Sequence, residues 1–382
     1  MGAQPLPGAR ERSLIFILSE VEMAKIVLGI GTSHSPMLAL TAEQWPRYAK
    51  GDYQHTGLVF PPDGISMTYE EGLAHVPVAI KERPLTDEVF SAQVDACQRG
   101  IAEIGRTLRE AKPDVTVIIS DDQDEWFFED NMPTFSIFWG DSVPLKPMPR
   151  RGNSRDADVN EAIRLGYGDV AIDVPVASGL GLHMIEYMIE HDFDVAHFKH
   201  LHETYGGSVA RRYPRADGID ESNVRVTEPR VQGLPHGFAF VVKRLFENEP
   251  GTILPVFENT CYPPNQPTPR RSYQFGQAIA GAIKSWDADA RVAVVASGGL
   301  SHFVVDEELD HMVLKALAER DAETLMSLPR NRLYSAASET QNWVALGGVL
   351  HDTPLEMELV EYVPVYRTPA GTGGGWAFAR WE

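Results

Sequence analysis

Four apolar runs rich in β-branched residues recur along the chain, and each closes on polar or glycine-rich residues. They are KIVLGIGTSHSP from Lys25, DVTVIISDDQDE from Asp114, GTILPVFENT from Gly251 and RVAVVASGGLSH from Arg291. None alternates apolar with polar positions over its length, so each has the pattern of a strand covered on both faces. Between them lie segments of helical periodicity, Asp87 to Ala111, Gly179 to Glu190, Gly237 to Phe246 and Ser272 to Trp286. Strands of this kind separated by helices predict a single layered α/β/α domain with a largely parallel or mixed central sheet.

Two long segments break the alternation. Residues 41–85 hold Trp45, Tyr48, His55 and paired prolines and read as an irregular loop over one face, a wall for any pocket there. Residues 203–235, with the charged stretch ARRYPRADGIDESN, read as a surface excursion or an oligomer arm. Because Met23 opens the first strand-like run, residues 1–22 read as a disordered extension or a non-native start, leaving 23–382 as the catalytic domain. The glycine-rich tail ends in aromatics, which predicts a loop returning to a final strand.

At 382 residues, with 43% hydrophobic and 23% charged side chains, the chain has ample material for a core. A formal net charge of −20 leaves no basic surplus for nucleic acid or an anionic membrane. An anionic substrate would then need a local positive pocket, so clustered arginines gain interest. Only two cysteines occur, Cys97 and Cys261, too few for a disulfide framework and suited to a reducing cytoplasm. The five-residue apolar run from Leu14 to Leu18 is too short to span a membrane.

The ends of the predicted strands carry the chemistry, as α/β sheets bind ligands outside their carboxyl ends. His34 follows the first strand, with Pro36 stopping it, and His302 follows the last after two glycines that permit close backbone approach. His236 precedes a helical segment, where it serves either as a polar cap or as a site residue. Helical spacing sets Glu339, Trp343 and Leu346 on one stripe, where the carboxylate either takes a metal or an arginine as partner or, with Ser338 capping the helix, is an ordinary first-turn acid. Arg270 and Arg271 open a helix after a proline-rich loop and suit a carboxylate ligand. The run VIISDDQDEWF places four carboxylates within five residues at a strand end, either a site or a solvated acidic turn.

Together the segments GIGTSHSPML, PDVTVIISDDQ with NMPTFSI, PHGFAF, YPP followed by basic residues, GGLSH, SETQNW and the glycine-rich tail resemble, in order, one known family. It is the catalytic-subunit family of class III extradiol ring-cleavage dioxygenases, typified by the β subunit of protocatechuate 4,5-dioxygenase. The resemblance implies non-haem Fe(II) held by two histidines and a glutamate, with O2 as co-substrate and a small aromatic diol, carboxylated, as substrate. By position it makes His34 and Glu339 metal ligands, His302 the acid/base that takes a catechol proton, and His236 a further active-site histidine. Arg270, Arg271 and Arg367 become the competing anchors for a substrate carboxylate.

One position departs from the family pattern. Where a ligand histidine follows the aspartate, this chain has Gln123, a weaker ligand for this class of metal, so Asp121, Asp122 or His55 are alternatives to it. DDQ is similar to the 3-O-methylgallate dioxygenase-like branch. Asp124 and Glu125 keep the acidic-turn reading. A homodimer or larger homo-oligomer is expected, and a separate small subunit is possible without being implied. Two readings from other classes stand beside this one: a binding or scaffold protein without competent iron, and a metal-dependent hydrolase built on Asp121 to Asp124.

Overall fold

The four apolar runs become four adjacent parallel strands, in the order Lys25–Thr32, Arg291–Ser297, Val115–Ser120 and Thr252–Glu258. The computed structural model describes residues 23–382 except Asp124, 129–130, 148–155, 202–203, 206–228 and 231–232. Residues 1–22 and most of the 203–235 excursion therefore lie outside the described residues.

Antiparallel strands flank the parallel set and make the sheet mixed. Thr372–Trp381 pairs with Lys25–Thr32, and it also pairs with His302–Val304 and Met357–Tyr366. On the far side Phe135–Phe138 pairs with Thr252–Glu258, and Ala196–Phe198 completes that edge. Val115–Ser120 is buried at every position, as a central strand covered on both faces must be. The register sets the carboxyl ends level, with Thr32 beside Ser297, Ala296 beside Ile119 and Ser120 beside Phe257. That shared rim is where the polar endings converge.

Helical layers enclose the sheet. Asp87–Ala111 and His236–Phe240 pack on it from one group, and Ser178–Glu190, Pro269–Lys284 and Thr340–Leu350 from another. The first helix starts where Thr86 caps the Val89 N–H, and it has the bounds that its periodicity predicts. Pro269–Lys284 begins three residues before the predicted Ser272, because Thr268 caps the Arg271 N–H and Pro269 takes the first helical position. Thr340–Leu350 is buried almost all round, which only a helix wedged between others tolerates.

Those last two helices touch backbone to backbone at glycines. A Cβ on Gly276 would lie 1.8 Å from the Ala345 carbonyl oxygen, and one on Gly348 2.1 Å from that of Tyr273. Gly276→Ala should therefore force the helices apart and cost about 1–3 kcal/mol, as overpacked cores do. A urea midpoint equal to that of the parent chain would contradict this contact.

Two segments differ from their sequence reading. Residues 41–85 are not irregular: Trp45–Ala49, Tyr69–His75 and Val78–Lys81 are helical, and Leu58–Phe60 pairs with Ile65–Met67. Thr68 and Glu71 form the capping box that starts one of these helices. The segment seats Leu58, Phe60, Tyr69 and Val76 on Val304 and Ala370, a small second core. In the tail, the glycines form the final strand and not a loop before it. A Cβ on Gly375 would meet the Asp310 carboxylate at 1.7 Å, so the strand is glycine-rich where neighbours crowd it. No helix among the described residues is long and apolar enough to cross a membrane.

Candidate active site

The first strand delivers His34 to the rim, and Ser35 and Pro36 turn the chain into a 3₁₀ helix directly behind it. The imidazole is buried, and its Nδ1 lies 3.0 Å from Ser297 Oγ. Ser297 donates its own hydroxyl proton to the Gly237 carbonyl at 2.7 Å, so it accepts from His34, and Nδ1 carries the proton. His34 Nε2 is thereby left as a lone pair. It has no hydrogen-bond partner and faces Glu339 Oε2 at 3.3 Å. Burial lowers this histidine to about 4, although Glu339 acts the other way, so the ring is neutral.

Glu339 closes a 3₁₀ turn, Ser335–Glu339, and stands at the N-cap position of the buried helix after it, with its side chain turned to the site and not to the helix backbone. Its carboxylate accepts the Gly299 N–H at 2.8 Å and the Gln123 amide at 2.7 Å, and Oε1 lies 3.2 Å from His302 Nε2. Burial alone would raise this acid, yet His302, His34 and the Gly299 N–H hold it well below the usual carboxylate range. Trp343, one helical turn on, fixes the helix to the rim by donating to the Gly298 carbonyl at 2.9 Å. The predicted stripe thus has its acid in the site and its indole anchoring the approach.

His302 begins a short strand, and its Nδ1 faces the Leu300 carbonyl at 2.9 Å. A carbonyl can only accept, so Nδ1 holds a proton and Nε2 is the exchangeable position. Burial opposes charge on this ring, and Glu339 raises its pKa nonetheless. The ring folds over Gly299, where a Cβ would stand 2.3 Å from His302 Cε1, which is why the approach needs glycine.

The strand end Asp121 to Glu125 divides into separate roles. Asp122 accepts the backbone N–H groups of Glu125, Trp126 and Phe127 at 3.0, 2.8 and 3.3 Å, so it shapes the turn. Asp121 is wholly buried and accepts from Asn342 and Gln123 at 3.2 Å each; burial and then the Glu339 charge push it up to about 7. Gln123 lies beside Glu339, and its amide nitrogen faces the Glu339 and Asp121 carboxylates and Cys261 Sγ. Glu125 departs from the acidic-turn reading. It is buried, and its Oε2 lies 2.8 Å from His236 Nδ1 while its Oε1 accepts the His236 N–H at 2.9 Å. Asp124 lies outside the described residues.

His236 is buried at the start of its helix, with its ring centroid 4.7 Å from that of His34. Burial works against charge on it, but the Glu125 carboxylate outweighs burial and raises it to about 9. A Cβ on the following Gly237 would come within 2.9 Å of His34, so a glycine there lets the two imidazoles meet. Among the described residues, two groups bring ligand atoms within 4.8 Å of one another and could hold a metal ion: His34, His236 and Glu339, and Asp121, Cys261 and Glu339. Cys261 in this position had no signal in the sequence beyond its rarity. His55 lies against Phe303, 5.2 Å between ring centroids, and belongs to neither cluster.

The three arginines occupy different settings. Arg367 is buried and grips Asp52 through Nε and Nη2 at 2.5 and 3.0 Å, tying the 41–85 segment to the tail. Arg271 lies over the Phe193 ring at 3.9 Å. Arg270 is exposed at the helix start.

Two buried imidazoles and one ionised carboxylate thus gather at the carboxyl rim of a mixed α/β sheet, a set of side chains that could hold a metal ion. The chain belongs to the LigB family of catalytic subunits of aromatic ring-opening dioxygenases, whose family model matches residues 71–375, most of the chain. His34 precedes the matched segment, and His236, His302 and Glu339 fall within it. Among curated proteins, a gallate dioxygenase of Pseudomonas putida is 41% identical over 81 residues, 20% of this chain and 24% of that protein. The match thus spans about a quarter of the relative's length.

Proposed function

We propose that the protein is a non-haem Fe(II)-dependent extradiol dioxygenase that opens a catechol- or gallate-type ring with O2, in the breakdown of aromatic compounds. The observation that carries this reading is Glu339, whose two carboxylate oxygens face His34 Nε2 and His302 Nε2 at 3.3 and 3.2 Å. A metal would give the partnerless His34 nitrogen its missing bond, so the residues present fit such a group. His34 and Glu339 would hold it, and Gln123 and His236 both stand near enough for a third protein position. Bound Fe(II) with open positions would supply a common template for a ring diol and O2.

The chain's own residues do the rest. His302 Nε2, the exchangeable nitrogen, receives a ring hydroxyl proton and returns it later. Burial keeps water from the reacting atoms and strengthens each charge within the site. Arg270 and Arg271, at the start of the helix that follows Cys261, are the cations offered to a ring carboxylate, because Arg367 is already held by Asp52. The relative's name, gallate dioxygenase, makes polyhydroxylated benzoates the first substrates to try.

The test is anaerobic loading with Fe(II), followed by oxygen uptake with a panel of catechols, protocatechuate and gallates. Stoichiometric uptake with a ring-opened product is expected for at least one. Neither uptake nor product with any member overturns the reading.

A further inference from the structure

We infer that the metal triad of this chain is His34, His236 and Glu339, with Gln123 serving outside it as a hydrogen-bond donor to Glu339. The inference rests on the metal-dependent reading above and departs from the ligand position that the family resemblance gives to Gln123.

Four observations carry it. The ligand atoms of His34, His236 and Glu339 lie within 4.8 Å of one another, and all three side chains are buried. Each imidazole has its Nδ1 already committed, His34 to Ser297 at 3.0 Å and His236 to Glu125 at 2.8 Å. That leaves both Nε2 atoms for an ion, and a carboxylate or hydroxyl behind each ring is the usual outer support of a metal-bound histidine. Glu125 holds both the side chain and the backbone N–H of His236, at 2.8 and 2.9 Å, so the ring is aimed before any ion arrives.

Gln123 is turned the other way. Its amide nitrogen has Glu339 Oε1 at 2.7 Å, Asp121 Oδ2 at 3.2 Å and Cys261 Sγ at 3.7 Å around it. Exchanging the amide oxygen for that nitrogen would set an acceptor against a buried carboxylate, so the surroundings decide the orientation. An amide nitrogen has no lone pair for a metal. In this arrangement Gln123 orients one oxygen of Glu339, and its other oxygen, Oε2, is the one that faces His34. His302 approaches from the Oε1 side, away from His34, and so stays outside the triad.

The inference is tested on the full chain labelled with ¹⁵N-histidine, loaded with Fe(II) and treated with nitric oxide. Pulsed EPR of the nitrosyl signal counts the imidazoles bound to iron. Two are expected in the parent chain and in Gln123→Ala, which keeps one iron per chain with affinity about tenfold weaker, as for loss of an outer partner. One imidazole is expected in His236→Gln and in His236→Ala. Glu125→Gln should retain both imidazoles and weaken iron by about 10–100-fold. Two imidazoles surviving in both folded His236 variants, or one in the parent chain with iron lost in Gln123→Ala, would overturn the assignment while leaving the dioxygenase reading intact. A parent chain that binds no Fe(II) would overturn both.

Discussion

Glu339→Ala should lose its metal and its ring-opening activity together. The carboxylate is buried, and among the described residues it is the one that lies within 3.3 Å of both His34 and His302. Its removal exposes the Gly299 N–H and the Gln123 amide to an unmade bond and takes from the cation its only charged ligand in the triad. Loss of an outer partner typically costs 10–100-fold in metal affinity, so loss of this ligand should cost more than about 100-fold. Glu339→Gln keeps the shape and tests charge alone; it should show the same loss with less effect on melting. Metal analysis after anaerobic Fe(II) loading and desalting measures the first quantity, and oxygen uptake the second. Stoichiometric iron retained in both variants would move the metal to another set of donors.

Much of this site can be read from the linear chain because a buried parallel strand advertises itself. Side chains covered on both faces leave a run such as VTVIIS, and the first polar residues after it fall on the rim. His34, Gln123 and the glycines before His302 stand out that way, by position relative to strand ends. What stayed hidden was pairing across long separations. Glu125 and His236 are 111 residues apart, and in sequence Glu125 is one more acid in an acidic stretch. Its burial depends on Asp122 curling the turn back through three backbone N–H groups, which no periodicity reports. Ser297 is likewise an ordinary strand residue until Gly237 brings its carbonyl within 2.7 Å and decides which nitrogen of His34 is free.

The same limit explains the arginines and the 41–85 segment. Arg367 reads as a cation waiting for a substrate, but Asp52, 315 residues away, pairs with it, and Thr372 donates to the same Asp52 carboxylate at 2.6 Å. That buried pair fastens the segment to the final strand, beside the ring contact of His55 with Phe303. Irregular composition concealed a structured segment. Its short helices and hairpin are too brief for periodicity to show, and what marks them locally is start signals such as the Thr68 and Glu71 capping box and the proline in the first turn of Trp45–Ala49.

His302→Ala should keep its iron and lose most of its turnover. The two outcomes separate because His302 stands on the Oε1 side of Glu339, whereas His34 stands on the Oε2 side. Its Nδ1 is spent on the Leu300 carbonyl at 2.9 Å, which leaves Nε2 as the atom that can take and return a proton. Removing a positioned general base typically costs about 10²–10⁴-fold in rate, and the chemistry that remains is whatever the metal and its substrate perform unaided. The variant should therefore show unchanged iron content and an unchanged imidazole count, with kcat reduced by that factor and KM for the aromatic substrate much less affected. Glu339 would lose one neighbour but keep the Gly299 N–H and the Gln123 amide, so its aim should survive. A variant that sheds iron along with activity would make His302 a ligand and not a proton carrier.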